Sequence, residues 1–171
     1  MMIEESEMQF GNYPDDAVFH LEKSPQYQDK LRSNGVKSCE FILFKENALY
    51  FIEAKKSCPN QISADTSIEK VEKYHEYIAD ITNKMRHSLA LYANILLKRH
   101  DCTGVPPSLL ETDLSGKELK LVLVVKNAQP QWLIPLSEKL NRVLKPETGI
   151  WKCSRIFVIN EATARDIHLV V

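Results

Sequence analysis

Apolar positions along this chain recur with two different periods, and the periods divide it into helices and strands. From Thr66 to His100 they fall at Ile68, Val71, Tyr74, Ile78, Ile81, Met85, Leu89, Tyr92 and Leu96. Steps of three and four place them on one stripe of a long helix. Thr66 with Glu69 three residues on reads as a capping box at its start. Lys98, Arg99 and His100 suit its carboxyl end. The runs Ser38–Lys45 and Ala48–Lys55 are rich in Phe, Ile, Leu and Tyr and read as strands. Between them only Glu46-Asn47 remains, a two-residue hairpin turn in which Asn47 tolerates the positive φ.

Further elements follow in order. Ala17–Glu22 is an edge strand or a helical turn, and Ser24-Pro25 starts a short helix, Pro25–Ser33, that stops at Asn34-Gly35. Glu118–Lys126 is apolar on both faces, as a covered interior strand requires. Leu133–Leu144 is an amphipathic helix, Cys153–Asn160 a strand, and Glu161–Asp166 a helical turn before an apolar, docked terminus. Met1–Asp16 reads as a loosely structured lead-in, and Asp101–Gly116 as a long irregular connection. The order predicts an α/β fold, a mixed β-sheet flanked by helices, in a single domain over residues 1–171.

The hairpin carries the candidate chemistry. With Lys45 facing Ala48, Glu40 lies opposite Glu53, and opposed Cβ atoms are roughly 4.5–5.5 Å apart. Period two puts Glu40, Glu53 and Lys55 on one face, beside Ile42, Phe44, Leu49 and Phe51. Two carboxylates facing each other among apolar neighbours repel. A divalent cation resolves that repulsion, and carboxylate oxygens suit a hard ion such as magnesium. Lys55 then stands ready to hold a water or balance developing negative charge. Removing Glu53 is expected to relieve repulsion in the metal-free protein.

Composition narrows the partners little. The 171 residues are 44% hydrophobic and 26% charged, with formal net charge −1, so no global basic field announces a nucleic-acid binder. No apolar run approaches the ~20 residues of a membrane span, and the acidic start MMIEESEMQF is no secretory signal. Cys39, Cys58, Cys102 and Cys153 form no Cys-x-x-Cys pair, which speaks against a zinc knuckle and for free thiols in a cytoplasmic protein.

Glu40 followed by Glu53-Ala54-Lys55 on the next strand resembles the PD-(D/E)xK nuclease superfamily, over about Val36–Ser57. Two positions depart from that pattern: Glu40 stands for the usual Asp, and Cys39 for a frequent proline. The Gln-x-x-x-Tyr element of related exonucleases is not reproduced, the nearest spacings being Lys70/Tyr74 and Lys73/Tyr77. The resemblance implies a restriction endonuclease-like core and metal-dependent hydrolysis of DNA. It implies Mg2+ or Mn2+ held by Glu40, Glu53 and the Ala54 backbone carbonyl, with Lys55 catalytic. An extra acidic residue often joins from the family's N-terminal element. Glu22 is the residue here that fills that role, or else it is an exposed charge beside the helix, and the exposed charge is the expected state.

Other readings of the same residues stay open. Glu-x-Lys also alternates on ordinary solvated strands, and the domain is then a common α/β unit. A nuclease fold serving only as a binding or scaffolding module is a third reading. A homodimer or a partner protein is compatible with each. On the long helix, Lys70, Lys73, Lys84 and Arg86 are interleaved with Glu69, Glu72, Glu76 and Asp80, so this flank reads as a solvated face. His20, alone in an apolar run, reads as a packed residue.

Overall fold

The structure is a computed structural model and describes every residue except Thr112. Among the described residues, seven strands and five α-helices follow in order: β1 (Ile3–Glu5), β2 (Met8–Phe10), β3 (Val18–Phe19), β4 (Phe41–Lys45), β5 (Ala48–Lys55), α1 (Ile68–Leu96), α2 (Pro107–Glu111), β6 (Glu118–Val125), α3 (Pro130–Val143), α4 (Lys145–Trp151), β7 (Phe157–Asn160) and α5 (Glu161–Asp166). Strands β3-β4-β5-β6-β7 form one mixed sheet in that order, and β1 and β2 a separate two-stranded one. The pairs β3–β4 and β4–β5 are antiparallel, and β5–β6 and β6–β7 parallel. This is the mixed α/β architecture that the order of elements predicts.

The hairpin has the expected register, from Lys45↔Ala48 to Phe41↔Ile52. Strand β4 is shorter than predicted, beginning at Phe41. The Glu40 N–H still donates to the Ile52 carbonyl at 3.0 Å, which carries the chain alongside β5 for one more residue. Positive φ falls on Glu46 (58°) and not on Asn47. Asn47 instead fixes the neighbouring strand, accepting from Lys117 Nζ at 2.6 Å.

Period two divides the sheet into two packed faces. Ile42, Leu49, Phe51, Leu121, Leu123 and Val125 face the helix layer, against Ile78, Ile81, Met85 and Leu89 of α1 and Leu136 and Leu140 of α3. Phe41, Leu43, Ile52, Ala54, Val122 and Val124 face the other way, against Ile3, Met8 and Phe10. The N-terminal segment is therefore no loose lead-in. Its hairpin buries three apolar side chains and covers the second face of the sheet. The carboxyl terminus docks beside it, with Phe10 bridged to Val170. Burial of one such side chain is worth ~1.5–3 kcal/mol, which is what holds this short hairpin in place.

Helix α1 covers the whole stripe, Ile68–Leu96, and ends before Lys98, Arg99 and His100. Thr66 does not cap it. Its hydroxyl accepts from the Ser63 N–H at 2.8 Å, and Ser67 holds the cap position without a side-chain bond. Ile68, at 79% exposed, lies beyond the sheet and is not core. The stripe becomes buried only from Tyr74 onward. The predicted helix at Pro25–Ser33 is a π-helical turn over Tyr27–Leu31, ended by Gly35 at φ 78°. Ser24 lies ahead of its cap position, Gln26, and its Oγ accepts from the Tyr27 N–H at 3.4 Å. The last predicted strand shortens to β7. The connection before β6 contains α2 and a 3-10 turn, Leu114–Gly116, and Thr112 within it lies outside the described residues.

Candidate functional site

The candidate residues meet at the end of the sheet where β5 finishes, the carboxyl side of two parallel strands. Ligands of open α/β sheets bind beyond such carboxyl ends. Glu53 and Lys55 come from β5, alternate positions that face α1. Glu40 comes from the residue before β4. Glu22 follows the β3 segment, and its N–H donates to the Glu40 carbonyl at 3.3 Å. Glu22 is thus drawn into the cluster and is half-buried, against the expectation of a free charge.

Helix α1 fixes this corner. Ser88 Oγ accepts from the Cys39 N–H at 2.8 Å, and His87 Nδ1 accepts from the Lys37 N–H at 3.0 Å. These two bonds clamp the chain just before Glu40. The same helix contributes Asp80 and Lys84, which the pattern of charges had assigned to a solvated face. Lys84 is buried. Its Nζ lies 2.8 Å from Glu53 Oε1 and 3.8 Å from Glu40 Oε1. Lys55 Nζ lies 3.2 Å from Glu53 Oε1 and 3.2 Å from Asp80 Oδ2. Lys37 closes the outer side, 3.3 Å from Asp80 Oδ1.

The signal for Lys84 was present in the helix geometry. At about 100° per residue, position 84 lies about 60° around the axis from Ile81. It follows Asp80 by four and precedes Ser88 by four. Membership in a run of alternating charge concealed an inward position.

Charge and burial are unequal across the cluster. Glu53 is fully buried, while Lys55 and Asp80 keep side-chain exposures of 28% each and form the solvent side. Burial pushes the Glu53 carboxyl above its usual range, and Lys84 and Lys55 offset part of that. Glu40 is pushed up to about 9, first by burial, then by its hydrogen bond with the Glu22 carboxyl and the negative charge of Glu53. Glu22 is partly buried too, yet it is held low by that hydrogen bond and by the nearby Lys84. The Glu22–Glu40 pair thus favours holding a proton, on the Glu40 side. Lys84 loses hydration through burial, but Glu53 and Glu40 keep it above the ordinary lysine range. Asp80, despite partial burial, is held low by Lys55.

The Ala54 carbonyl, expected beside a metal, accepts a hydrogen bond from Ser6 Oγ at 3.0 Å. Carbonyls alternate sides along a strand, so this oxygen points the same way as that of Ile52, past the start of β4. Lys56 faces away, as its position predicts, and pairs with Glu7. His20 is packed against Phe41, ring centroids 6.3 Å apart. Among the described residues, no group of three or more His, Cys, Asp or Glu is arranged to hold a metal ion. Lys84, ion-paired with Glu53 and more distantly with Glu40, shares this corner with the acids. Among the described residues, no helix is long and apolar enough to cross a membrane.

No protein-family model matches the chain, and no curated protein or solved structure matches it.

Proposed function

We propose that this protein is a metal-dependent nuclease of restriction endonuclease-like fold, hydrolysing DNA phosphodiester bonds in the cytoplasm. The observation that carries the reading is the convergence of Glu22, Glu40, Glu53 and Lys55 from three separate segments at one sheet end. A charged strand end produced by chance has no reason to gather an acid from the preceding segment and a partner for each lysine from the following helix.

The chemistry of the acids, rather than their present arrangement, suits Mg2+ or Mn2+. Both ions take carboxylate oxygens, and Glu53 Oε2 is buried with no hydrogen-bond partner. Glu40 and Glu53 hold the ion in this reading, with Glu22 supporting Glu40 and the Ala54 carbonyl as a further oxygen once Ser6 shares it. A bound ion supplies polarisation of the phosphate and a lower pKa for water. The protein's own residues do the rest. Lys55, more exposed than Lys84, meets the scissile phosphate, orients the attacking water and offsets charge that develops on the phosphoryl oxygens. Asp80 fixes the Lys55 head from the helix side.

A second reading is a catalytically inactive nuclease fold that binds DNA or a partner protein. One observation favours it: Lys84 already neutralises the acids. Incubation of supercoiled plasmid with the protein in Mg2+, Mn2+ or EDTA separates the two. The nuclease reading expects nicked or linear product with metal only, and a loss of at least about 100-fold in Lys55→Ala, the scale on which removal of a group stabilising transition-state charge is felt. Plasmid left intact in every metal condition contradicts it.

A further inference from the structure

Lys84 separates itself from the other lysines by its partners. Lys55 has Glu53, but it also has Asp80 at the same distance. Lys55 therefore keeps a counter-charge whatever happens at Glu53. The ion pairs of Lys84 among the described residues are with Glu53 and Glu40, the two acids assigned to the metal. Its side chain is 10% exposed and those of its partners 0% and 11%. The backbone beneath it is fixed, since Ile81 and Met85 are fully buried and Ser88 is bonded to the Cys39 N–H.

Resting on the metal-site reading above, we propose that Lys84 is a built-in counter-cation of this site: it occupies the position of the divalent ion between Glu40 and Glu53, and withdraws when that ion binds. An ammonium and a divalent cation compete for the same oxygens, and both together within about 4 Å repel strongly in a partly buried site. The four-carbon lysine stem lets the charged head leave without a shift of the helix. The metal-free protein is thereby spared an unpaired, buried Glu53, and its affinity for the ion is set by the cost of displacing Lys84. Lys84 is a positioning residue in this account, acting through the acids and not on the substrate.

The test uses Mn2+ alone as probe, followed by electron paramagnetic resonance, on the wild type, Lys84→Gln and Lys84→Arg. Loss of the competing charge is expected to tighten Mn2+ binding by about tenfold or more in Lys84→Gln. Lys84→Arg, which keeps the charge, is expected to bind no tighter than the wild type. A merely structural lysine gives the opposite result, weaker binding in both variants. Acetylation of the wild type by acetic anhydride, read by mass spectrometry, adds a measurement that does not depend on a variant folding. Lys84 is expected to be protected in EDTA and to become reactive when Mn2+ saturates the site. Wild type that binds Mn2+, with Lys84→Gln binding no tighter or Lys84 equally protected with and without Mn2+, overturns the proposal and leaves the metal site standing. Absence of Mn2+ binding in both wild type and Lys84→Gln overturns the metal site and this proposal together.

Discussion

Lys84 Nζ lies 2.8 Å from Glu53 Oε1, and neither group has water access to speak of: Glu53 is 0% exposed and the Lys84 side chain 10%. This ion pair, between the third turn-pair of a long helix and the end of a central strand, joins the two layers that flank the candidate site. It also changes what the loss of either residue does.

Glu53→Ala is expected to destabilise the metal-free protein by about 3–5 kcal/mol, because removing one partner of a buried pair strands the other charge. Repulsion between Glu40 and Glu53 had suggested the reverse. That repulsion is small when Glu40 holds a proton and Lys84 pairs with both acids. Urea unfolding of wild type and variant in EDTA measures the difference. A Glu53→Ala protein as stable as the wild type would show that the pair is not formed.

Ile81 is fully buried among the sheet residues that face α1. Ile81→Ala is expected to cost about 2–5 kcal/mol through the cavity it leaves. Ile68→Ala, at an exposed position, is expected to change stability by no more than about 0.5 kcal/mol. Thermal melts of both variants check this, and equal losses at the two positions would contradict the observed placement of the stripe.

Glu40 gives the stability a particular pH dependence. Its carboxyl is raised from 4.5 to about 9 in the fold, so between those values the folded protein binds a proton that the unfolded chain has released. Stability from this group is complete below about pH 4.5 and is lost as pH rises through about 9. Glu22 and Asp80, held low, act in the other direction, and their contributions are lost as pH falls into the acid range. Glu40→Gln stays neutral throughout. In EDTA its melting temperature, relative to wild type, is expected to climb steadily from pH 5 to pH 9. A constant difference across that range would remove the shared proton.

Much of this arrangement was legible in local pattern. The period-two runs set the hairpin register from Lys45↔Ala48 to Phe41↔Ile52, and the same alternation turns Glu53 and Lys55 one way while Lys56 turns to Glu7. The long stripe likewise marks Ile78, Ile81, Met85 and Leu89 as core. What escaped depends on contacts distant in sequence. The N-terminal segment has little apolar content of its own, and its strands exist because Met8 and Phe10 meet a sheet face left uncovered by the helices. Lys84 and Asp80 looked solvated because charge alternates around them, and only the packing of α1 on β5 turns them inward. Ile68 continues the stripe in sequence but lies past the sheet in space.

A crystal soaked in Mn2+ and measured at an anomalous wavelength tests the central claim most directly. One anomalous peak is expected, bonded to carboxylate oxygens of both Glu40 and Glu53 at about 2.0–2.6 Å, the range spanned by Mg2+ and Ca2+ bonds to oxygen, with the Lys84 ammonium moved off both acids. A map with no peak there at saturating Mn2+, and Lys84 still seated on Glu53, would contradict it.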